Sequence, residues 1–225
     1  MRVPGYEFHN VGSLVNDPVL DVVHGLIYHV TGNLVSPLNF FDGPSAGIES
    51  TFYIPKVDTE DKEQYRDTNR EADANFRANS WIGTDGKRHG FLSVETAGLA
   101  SGKWNKYQLD ELKELTLITA KHHDYPLREC GSYHGHGVGY HTMYPEWSNV
   151  PGKTCPGPER KVQFRQIIVP WLNEQRLASK FYTVRAGDTA ATVAAKFNIK
   201  IVELWRWNDG VSLPLLPGTR LRIKL

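Results

Sequence analysis

Three residues that lie far apart in this chain have side chains that bind zinc in proteins. They are His29, in His29-Val30-Thr31, His141, in Gly139-Tyr140-His141, and Cys155, which follows Lys153 by two residues and precedes Pro156-Gly157. Zinc is bound by imidazole nitrogen and thiolate sulfur, and a catalytic zinc keeps three protein ligands so that water can take the fourth position. The sequence therefore predicts a catalytic zinc site with a cation beside it.

The histidine positions have alternatives within the same segments. His24 and His29 lie five residues apart, so on a strand they face opposite sides and only one can face a cleft. His29 is favoured because a turn follows it, and the alternative is a core histidine bonded to backbone. For the second histidine, His134 and His136 are alternatives to His141.

The two cysteines are too few for a disulfide framework, although one bridge between them is conceivable from the sequence. We interpret Cys130 as structural. For Cys155 the alternative to a ligand is an inert buried thiol, and the nearby Lys153 favours the ligand.

The elements that must position these residues are strands interleaved with helices. Residues 22–30 form an apolar, β-branched run that ends near His29, and a strand at residues 90–94 delivers Glu95 at its end. The other predicted elements are a strand at 50–54 and helices at 106–122 and 158–175. This order predicts an α/β domain, a mixed β-sheet flanked by helices with a zinc cleft.

The composition leaves room for one medium domain and one small one. Hydrophobic residues make up 40% of the 225 residues and charged residues 23%. The expected boundaries are an N-terminal extension at 1–20, a catalytic domain at 21–175, a linker at 176–181 and a small domain at 182–225. The last fifty residues contain nine Lys and Arg against three Asp and Glu, which favours an anionic surface.

The small domain has the order strand, helix, helix, strand. Its motifs are Tyr182-Thr183-Val184, Gly187-Asp188-Thr189, Trp207-Asn208 and Pro217-Gly218. With these motifs the run resembles a LysM domain, a βααβ fold that binds N-acetylglucosamine-containing glycans such as peptidoglycan. The resemblance implies that Gly187, Asp188, Thr189 and Leu215 line the glycan groove. The alternative is that such residues only cap a helix and close a turn.

The larger part of the chain resembles the zinc-dependent N-acetylmuramoyl-L-alanine amidases of bacteriophage endolysins, which are related to peptidoglycan recognition proteins. The resemblance rests on five short motifs, His29-Val30-Thr31, Thr51-Phe52-Tyr53-Ile54, Ser93-Val94-Glu95, Gly139-Tyr140-His141 and Lys153-Thr154-Cys155-Pro156-Gly157. It implies one Zn²⁺ per chain, held by His29, His141 and Cys155. Thr142-Met143 follows the second histidine, where the family often has Arg-Asp.

The same resemblance implies catalytic roles for Glu95, Lys153 and Tyr53. Glu95 would move protons, while Lys153 and Tyr53 would stabilise the oxyanion of the tetrahedral intermediate. The alternatives are a salt-bridged carboxylate for Glu95, a solvated turn lysine for Lys153 and a half-buried strand aromatic for Tyr53.

The resulting hypothesis is an endolysin-like hydrolase that cleaves the amide between N-acetylmuramic acid and L-alanine, targeted to the wall by LysM for host lysis. Alternatives are a non-catalytic peptidoglycan receptor or a zinc endopeptidase that cuts within the stem peptide. The sequence shows no export signal and no apolar run of the ~20 residues that span a bilayer. We expect a monomer made in the host cytoplasm and released through a holin-type pore, without nucleic-acid partners or membrane insertion.

Overall fold

The computed structural model describes the chain except for residues 10, 12–17, 43–48, 179–180, 209–210, 212 and 224–225. The chain forms two compact units, Met1–Pro170 and Trp171–Leu225. Within the described residues, no helix combines the length and the apolar character needed to cross a membrane.

A mixed β-sheet is the centre of the larger unit. Its strands are β1 (Glu7–Phe8), β2 (Val22–Tyr28), β3 (Phe52–Ile54), β4 (Glu63–Gln64), β5 (Trp81–Ile82), β6 (Arg88–Thr96) and β7 (Gly137–Tyr140). The strand order is β1-β4-β3-β6-β2-β7, and β5 pairs with β6 outside this path. Strands β3, β6, β2 and β7 are parallel to one another, whereas β4 is antiparallel to β3. The first strand shows that the expected N-terminal extension contributes to this sheet.

Strand β7 was not predicted, and glycine explains why. Its sequence is Gly137-Val138-Gly139-Tyr140, and glycine is depleted in strands. The pairing of β7 with β2 brings Gly137 opposite Gly25. A Cβ atom on Gly25 would lie 1.6 Å from the carbonyl oxygen of Gly137, so the two backbones approach more closely than a side chain at residue 25 would allow.

The helix α2 (Lys106–His123) packs on one face of the sheet, as its apolar periodicity predicts. It begins at Asn105, whose side chain accepts a hydrogen bond from the backbone N–H of Gln108 in a capping box. Leu112 and Leu115 are fully buried. The hydroxyl of Tyr28 in β2 is 2.6 Å from the Thr116 hydroxyl, so Tyr28 faces this helix.

Further helical segments lie before and after α2. A short helix, α1 (Leu38–Phe41), precedes β3, and a 3-10 segment covers Asp73–Ala78. The predicted helix at 158–175 consists of α3 (Pro158–Gln163), a π-helical segment (Phe164–Ile168) and α4 (Val169–Ala178). It therefore runs through the expected domain end at residue 175 and into the expected linker.

The smaller unit has the predicted order of elements. They are β8 (Phe181–Thr183), α5 (Ala190–Lys196), α6 (Ile201–Trp207) and β9 (Arg220–Arg222), and β8 pairs antiparallel with β9. Tyr182, Val193, Leu204 and Leu221 belong to its apolar core.

Candidate metal centre

Five polar side chains form a row across the sheet, and each comes from a different strand or from the residue that directly follows it. In order across the sheet they are Glu63, Tyr53, Glu95, His29 and His141. Tyr53 in β3 is paired with Glu63 in β4 on one side and with Glu95 in β6 on the other. His29 and His141 directly follow Tyr28 and Tyr140, which are themselves paired, and Tyr28 is paired with Val94. Paired residues lie on the same face of a sheet and consecutive residues on opposite faces. The row therefore occupies the face opposite α2.

The side chains of His29 and His141 lie close to that of Cys155. Their rings lie 4.4 Å apart, and Cys155 Sγ is 3.9 Å from His29 Nδ1. One ligand atom from each of His29, His141 and Cys155 lies within 4.8 Å of the other two, and all three residues are buried. Among the described residues, no other group of His, Cys, Asp or Glu side chains converges in this way. The structure thus brings together the three ligands that the sequence predicts.

The orientation of His29 is set by Asn75, a residue that sequence reasoning missed. His29 Nε2 is 2.8 Å from Asn75 Oδ1, so Nε2 carries the proton and Nδ1 presents its lone pair toward the cysteine. The fully buried Asn75 in turn donates to the backbone carbonyl of Phe91 at 3.3 Å. A hydrogen bond to the second ring nitrogen is the usual way in which proteins orient a metal-binding histidine.

The backbone of His29 is also fixed. The Trp104 indole donates to the Thr96 hydroxyl at 2.9 Å, and this hydroxyl donates to the His29 carbonyl at 2.7 Å. All three residues are buried. This chain of hydrogen bonds holds the strand end from which His29 projects.

Cys155 lies in a tight turn that presses against neighbouring backbone. Its sulfur accepts a hydrogen bond from the Val30 N–H at 3.4 Å, and its carbonyl accepts one from the Thr142 hydroxyl at 2.7 Å. The peptide bond to Pro156 is cis, and Gly157 has a φ of +100°. A Cβ atom on Gly157 would lie 1.7 Å from the Ala100 carbonyl oxygen, so the turn requires glycine at this position.

Burial determines the protonation of the three ligands. It lowers the pKa of His29 well below its ordinary value, with a further contribution from His141. Burial and the nearby charge of Lys153 lower the pKa of His141 to about 3. Burial and the adjacent Glu95 raise the pKa of the Cys155 thiol to about 12. Both imidazoles are therefore neutral near pH 7, as metal binding requires, and the thiol keeps its proton until a cation displaces it.

Glu95 lies next to the three ligands, within β6 rather than after its end. Its Oε1 is 3.8 Å from His29 Nδ1, and its side chain is only 13% exposed. Its Oε2 is buried and has no hydrogen-bond partner among the described residues. Burial raises the pKa of Glu95 to about 8, while Lys153 acts in the opposite direction. A carboxyl group of this kind can accept and release a proton near neutral pH.

Lys153 and Tyr53 lie in different cavities of the larger unit. Lys153 is exposed, and together with His141 it lines a cleft of about 180 Å³. Its charge influences the pKa of all three ligands and of Glu95. Tyr53 is 1% exposed, and its hydroxyl has no hydrogen-bond partner in the described part of the chain. Lys153 is thus open to its cleft, and the Tyr53 hydroxyl has hydrogen-bonding capacity that the described residues do not use.

The donor set fits a zinc ion. Two neutral imidazoles and one thiol match the ligands that zinc prefers, and their number leaves one position of a tetrahedral ion open. His141 Nδ1 is buried without a hydrogen-bond partner among the described residues, although buried polar atoms are normally paired. A bound cation would provide the missing interaction.

The alternative histidines lie elsewhere. His24 is stacked on His136 with ring centroids 3.7 Å apart, and its Nε2 is 2.7 Å from His89 Nδ1. His134 is stacked on Trp81 at 4.1 Å. Cys130 is buried and free, and its thiol donates to the Ser132 carbonyl at 3.1 Å.

The predicted glycan-binding residues of the smaller unit also have structural roles. Asp188 accepts hydrogen bonds from the Tyr182 hydroxyl at 2.6 Å and from the Arg185 backbone at 2.7 Å. Thr189 caps α5, and Gly187 has a φ of +87°. Leu215 is 7% exposed and lies in the apolar core, so its side chain offers little surface to a ligand. The exposed leucines of the same loop are Leu213 and Leu216.

Comparisons with known proteins identify a family for part of the smaller unit and solved structures that are similar to the chain. Residues 182–224 match the LysM domain family. No curated protein sequence matches the chain. The chain is similar to the crystal structure of an AmpD derivative, with a TM-score of 0.51 and 15% identity over 74% of this chain and 96% of that one.

Two further solved structures show weaker similarity. The amidase LysC from Clostridium intestinale has a TM-score of 0.48 and 14% identity, covering 88% of this chain and 100% of its own. The hydrolase AmiA from Staphylococcus aureus has a TM-score of 0.49 and 11% identity, covering 80% and 86%. The chain therefore combines the fold of AmpD with a C-terminal domain that belongs to the LysM family.

Proposed function

We propose that this protein is a zinc-dependent N-acetylmuramoyl-L-alanine amidase. The observation that carries the proposal is the convergence of His29, His141 and Cys155 within 4.8 Å beside a largely buried glutamate, Glu95. The LysM domain and the AmpD fold support peptidoglycan as the substrate. The bond cleaved would be the amide between the lactyl group of N-acetylmuramic acid and the L-alanine of the stem peptide.

A zinc ion held by these three residues would supply Lewis-acid polarisation of the lactyl carbonyl. In the reaction, water adds across the amide, so that hydroxide joins the carbonyl carbon and a proton joins the alanine nitrogen. We assign the proton transfer to Glu95. Its unpartnered Oε2 can accept the proton of the attacking water and deliver it to the leaving nitrogen.

Lys153 and Tyr53 would stabilise the charge that develops on the carbonyl oxygen. The Lys153 ammonium lies at the cleft next to His141, and the Tyr53 hydroxyl has an unused proton. Loss of one such donor typically lowers kcat ~10²-fold to 10³-fold.

The LysM domain would hold the enzyme on its substrate. Residues 182–224 would bind the glycan strands, which would raise the effective concentration of substrate at the other unit. We propose that Gly187, Asp188 and Thr189 contact the glycan in addition to their structural roles in the turn and the helix cap. A role in host lysis with release through a holin-type pore, a monomeric state and the absence of nucleic-acid partners stay predictions.

Mass spectrometry of digested cell walls tests the proposal. Purified protein loaded with zinc should release stem peptides with a free N-terminal alanine and leave intact muramic acid. New amino groups within the stem peptide would indicate an endopeptidase instead, and binding without release would indicate a receptor. Glu95→Gln is the matched variant, because it keeps the size of the side chain and removes its proton chemistry. It should bind zinc and walls but lose ~10²-fold or more of the activity.

A further inference from the structure

The row across the sheet continues beyond Tyr53 into a cavity with an acidic lining. The cavity has a volume of about 310 Å³, and its lining residues are Leu34, Val35, Ser36, Tyr53, Glu60, Asp61 and Glu63. Three of them are carboxylates, and none is a lysine or arginine. Such a cavity favours a positively charged occupant.

The charges of this cavity are not neutralised by neighbouring cations. Glu60 and Asp61 are exposed and have no ion-pair partner among the described residues. The adjacent Lys62 forms its ion pair with Glu111 in α2 at 2.7 Å, on the opposite face of the sheet. The carboxylates are therefore free to bind a cation from outside the chain.

Glu63 is held in place for such a contact. It is 8% exposed, and one of its oxygens accepts hydrogen bonds from the hydroxyls of Ser36, at 2.6 Å, and Tyr65. Two donors on one carboxylate oxygen fix the position of the side chain. The Glu63 carboxylate is thus held in position before a ligand enters the cavity.

Tyr53 independently indicates a ligand. Its side chain is 1% exposed and lines the cavity, and its hydroxyl is buried without a partner in the described chain. Buried hydroxyls are nearly always hydrogen-bonded, so we expect this hydroxyl to form a hydrogen bond with a group that enters the cavity. It can accept a proton donor there and still donate its own proton.

The shape of the site favours an organic ammonium over a metal ion. A metal ion needs ligand atoms that converge on one point, and the carboxylates of the cavity do not form such a group, in contrast to His29, His141 and Cys155. A cavity of about 310 Å³ with aliphatic Leu34 and Val35 at its wall suits a methylene chain that ends in –NH₃⁺.

We propose that this cavity is a specificity subsite that binds a primary ammonium group carried by the stem peptide, through Glu60, Asp61 and Glu63. The identity of the substrate rests on the proposed amidase function. Adjacent strands lie ~4.8 Å apart, so Glu63, two strands from Glu95, is ~10 Å from this proposed proton-transfer residue. An extended peptide advances ~3.5 Å per residue, which places the second or third residue after the cleaved bond at the cavity.

The test compares two synthetic substrates, N-acetylmuramoyl-L-alanyl-D-isoglutaminyl-L-lysine and its derivative acetylated at the lysine Nε. Acetylation removes the positive charge of the lysine side chain and leaves the rest of the substrate unchanged. The full-length protein should hydrolyse the acetylated substrate with a KM raised roughly 10-fold to 100-fold and a nearly unchanged kcat, the range expected for the loss of a hydrogen-bonded charge. The double variant Glu60→Gln/Asp61→Asn should lose this preference, while Asp58→Asn, a neutralised acid of the same loop outside the cavity, should keep it.

Calorimetric binding of the same two compounds separates this proposal from the amidase proposal. Hydrolysis of both substrates at equal KM would overturn the subsite and leave the amidase intact. Preferential binding of the free amine without hydrolysis would support the subsite and overturn the amidase. Equal or absent binding without hydrolysis, or a preference that survives in the double variant, would also overturn the subsite.

Discussion

Cys155 Sγ lies 3.9 Å from His29 Nδ1, although 126 residues separate them in the chain. The lone pair of this nitrogen faces the sulfur because Asn75 engages the other ring nitrogen. Such an approach between a neutral imidazole and a buried thiol would provide two of the three ligands of the proposed zinc centre.

Replacement of this cysteine should separate catalysis from wall binding. Cys155→Ala should abolish stoichiometric zinc binding and lytic activity, because the thiolate supplies the only anionic ligand. Binding to insoluble walls should persist through residues 182–224. Zinc content by mass spectrometry, turbidity clearing and a pull-down on walls measure the three properties. Full lysis by this variant would refute the proposed centre.

Zinc affinity should rise with pH. The thiol has a pKa of about 12 in the ion-free protein and must lose its proton to bind, whereas His29 and His141 have lowered pKa values and are already neutral. At least one proton is therefore released per ion, and a second can come from the neighbouring Glu95, whose pKa is about 8. The association constant should increase at least about 10-fold per pH unit between pH 6.5 and 8.5. Competition with a chelator of known affinity measures the slope. A pH-independent constant would show that Cys155 is not a ligand.

Asn75 is predicted to act as a positioning residue. Asn75→Leu removes the acceptor for His29 Nε2 and should reduce zinc affinity 10-fold to 100-fold. Asn75→Asp keeps an oxygen acceptor at the same place and should retain most of the affinity. The chelator competition applies here as well, together with thermal unfolding to verify that both variants fold. Equal affinities in the two variants would contradict the assignment.

Gly157 should be intolerant of a side chain. Gly157→Ala places a Cβ atom 1.7 Å from the Ala100 carbonyl oxygen at a positive φ, so the turn that carries Cys155 must shift. We expect a loss of about 1–3 kcal/mol in the free energy of unfolding, together with weaker zinc binding. Gly152→Ala is the control, since its φ of +75° is comparable but no atom lies within 4 Å of the added Cβ. Urea unfolding measures the stability of both variants. Equal free energies of unfolding for Gly157→Ala and Gly152→Ala would contradict the prediction.

The sequence predicted the elements that carry the centre because their signals are local. The apolar run ending near His29 and the helix at 106–122 were recognisable from periodicity, and histidine and cysteine are the residue types that bind zinc. Strand β7 was missed because two of its four residues are glycine, and only the partner strand shows why.

Other features depend on contacts between distant parts of the chain, which no local pattern records. Asn75 lies in a 3-10 segment without apolar periodicity, and its importance appears only when His29 is placed beside it. Leu215 was expected to line a groove, yet the fold buries it in the core of the smaller unit. The acidic cavity combines residues from β3, β4 and two loops, so its lining could not be assembled from spacing alone.

The row from His141 to Glu63 has a consequence for folding. Since each member comes from a different strand position, a slip of one residue in any strand would turn its member to the other face of the sheet. Molecules with misaligned strands would thus lack a functional centre even if they were compact. If the proposed centre binds one zinc ion per chain, the measured zinc content should equal the fraction of molecules in which the strands have reached their native alignment.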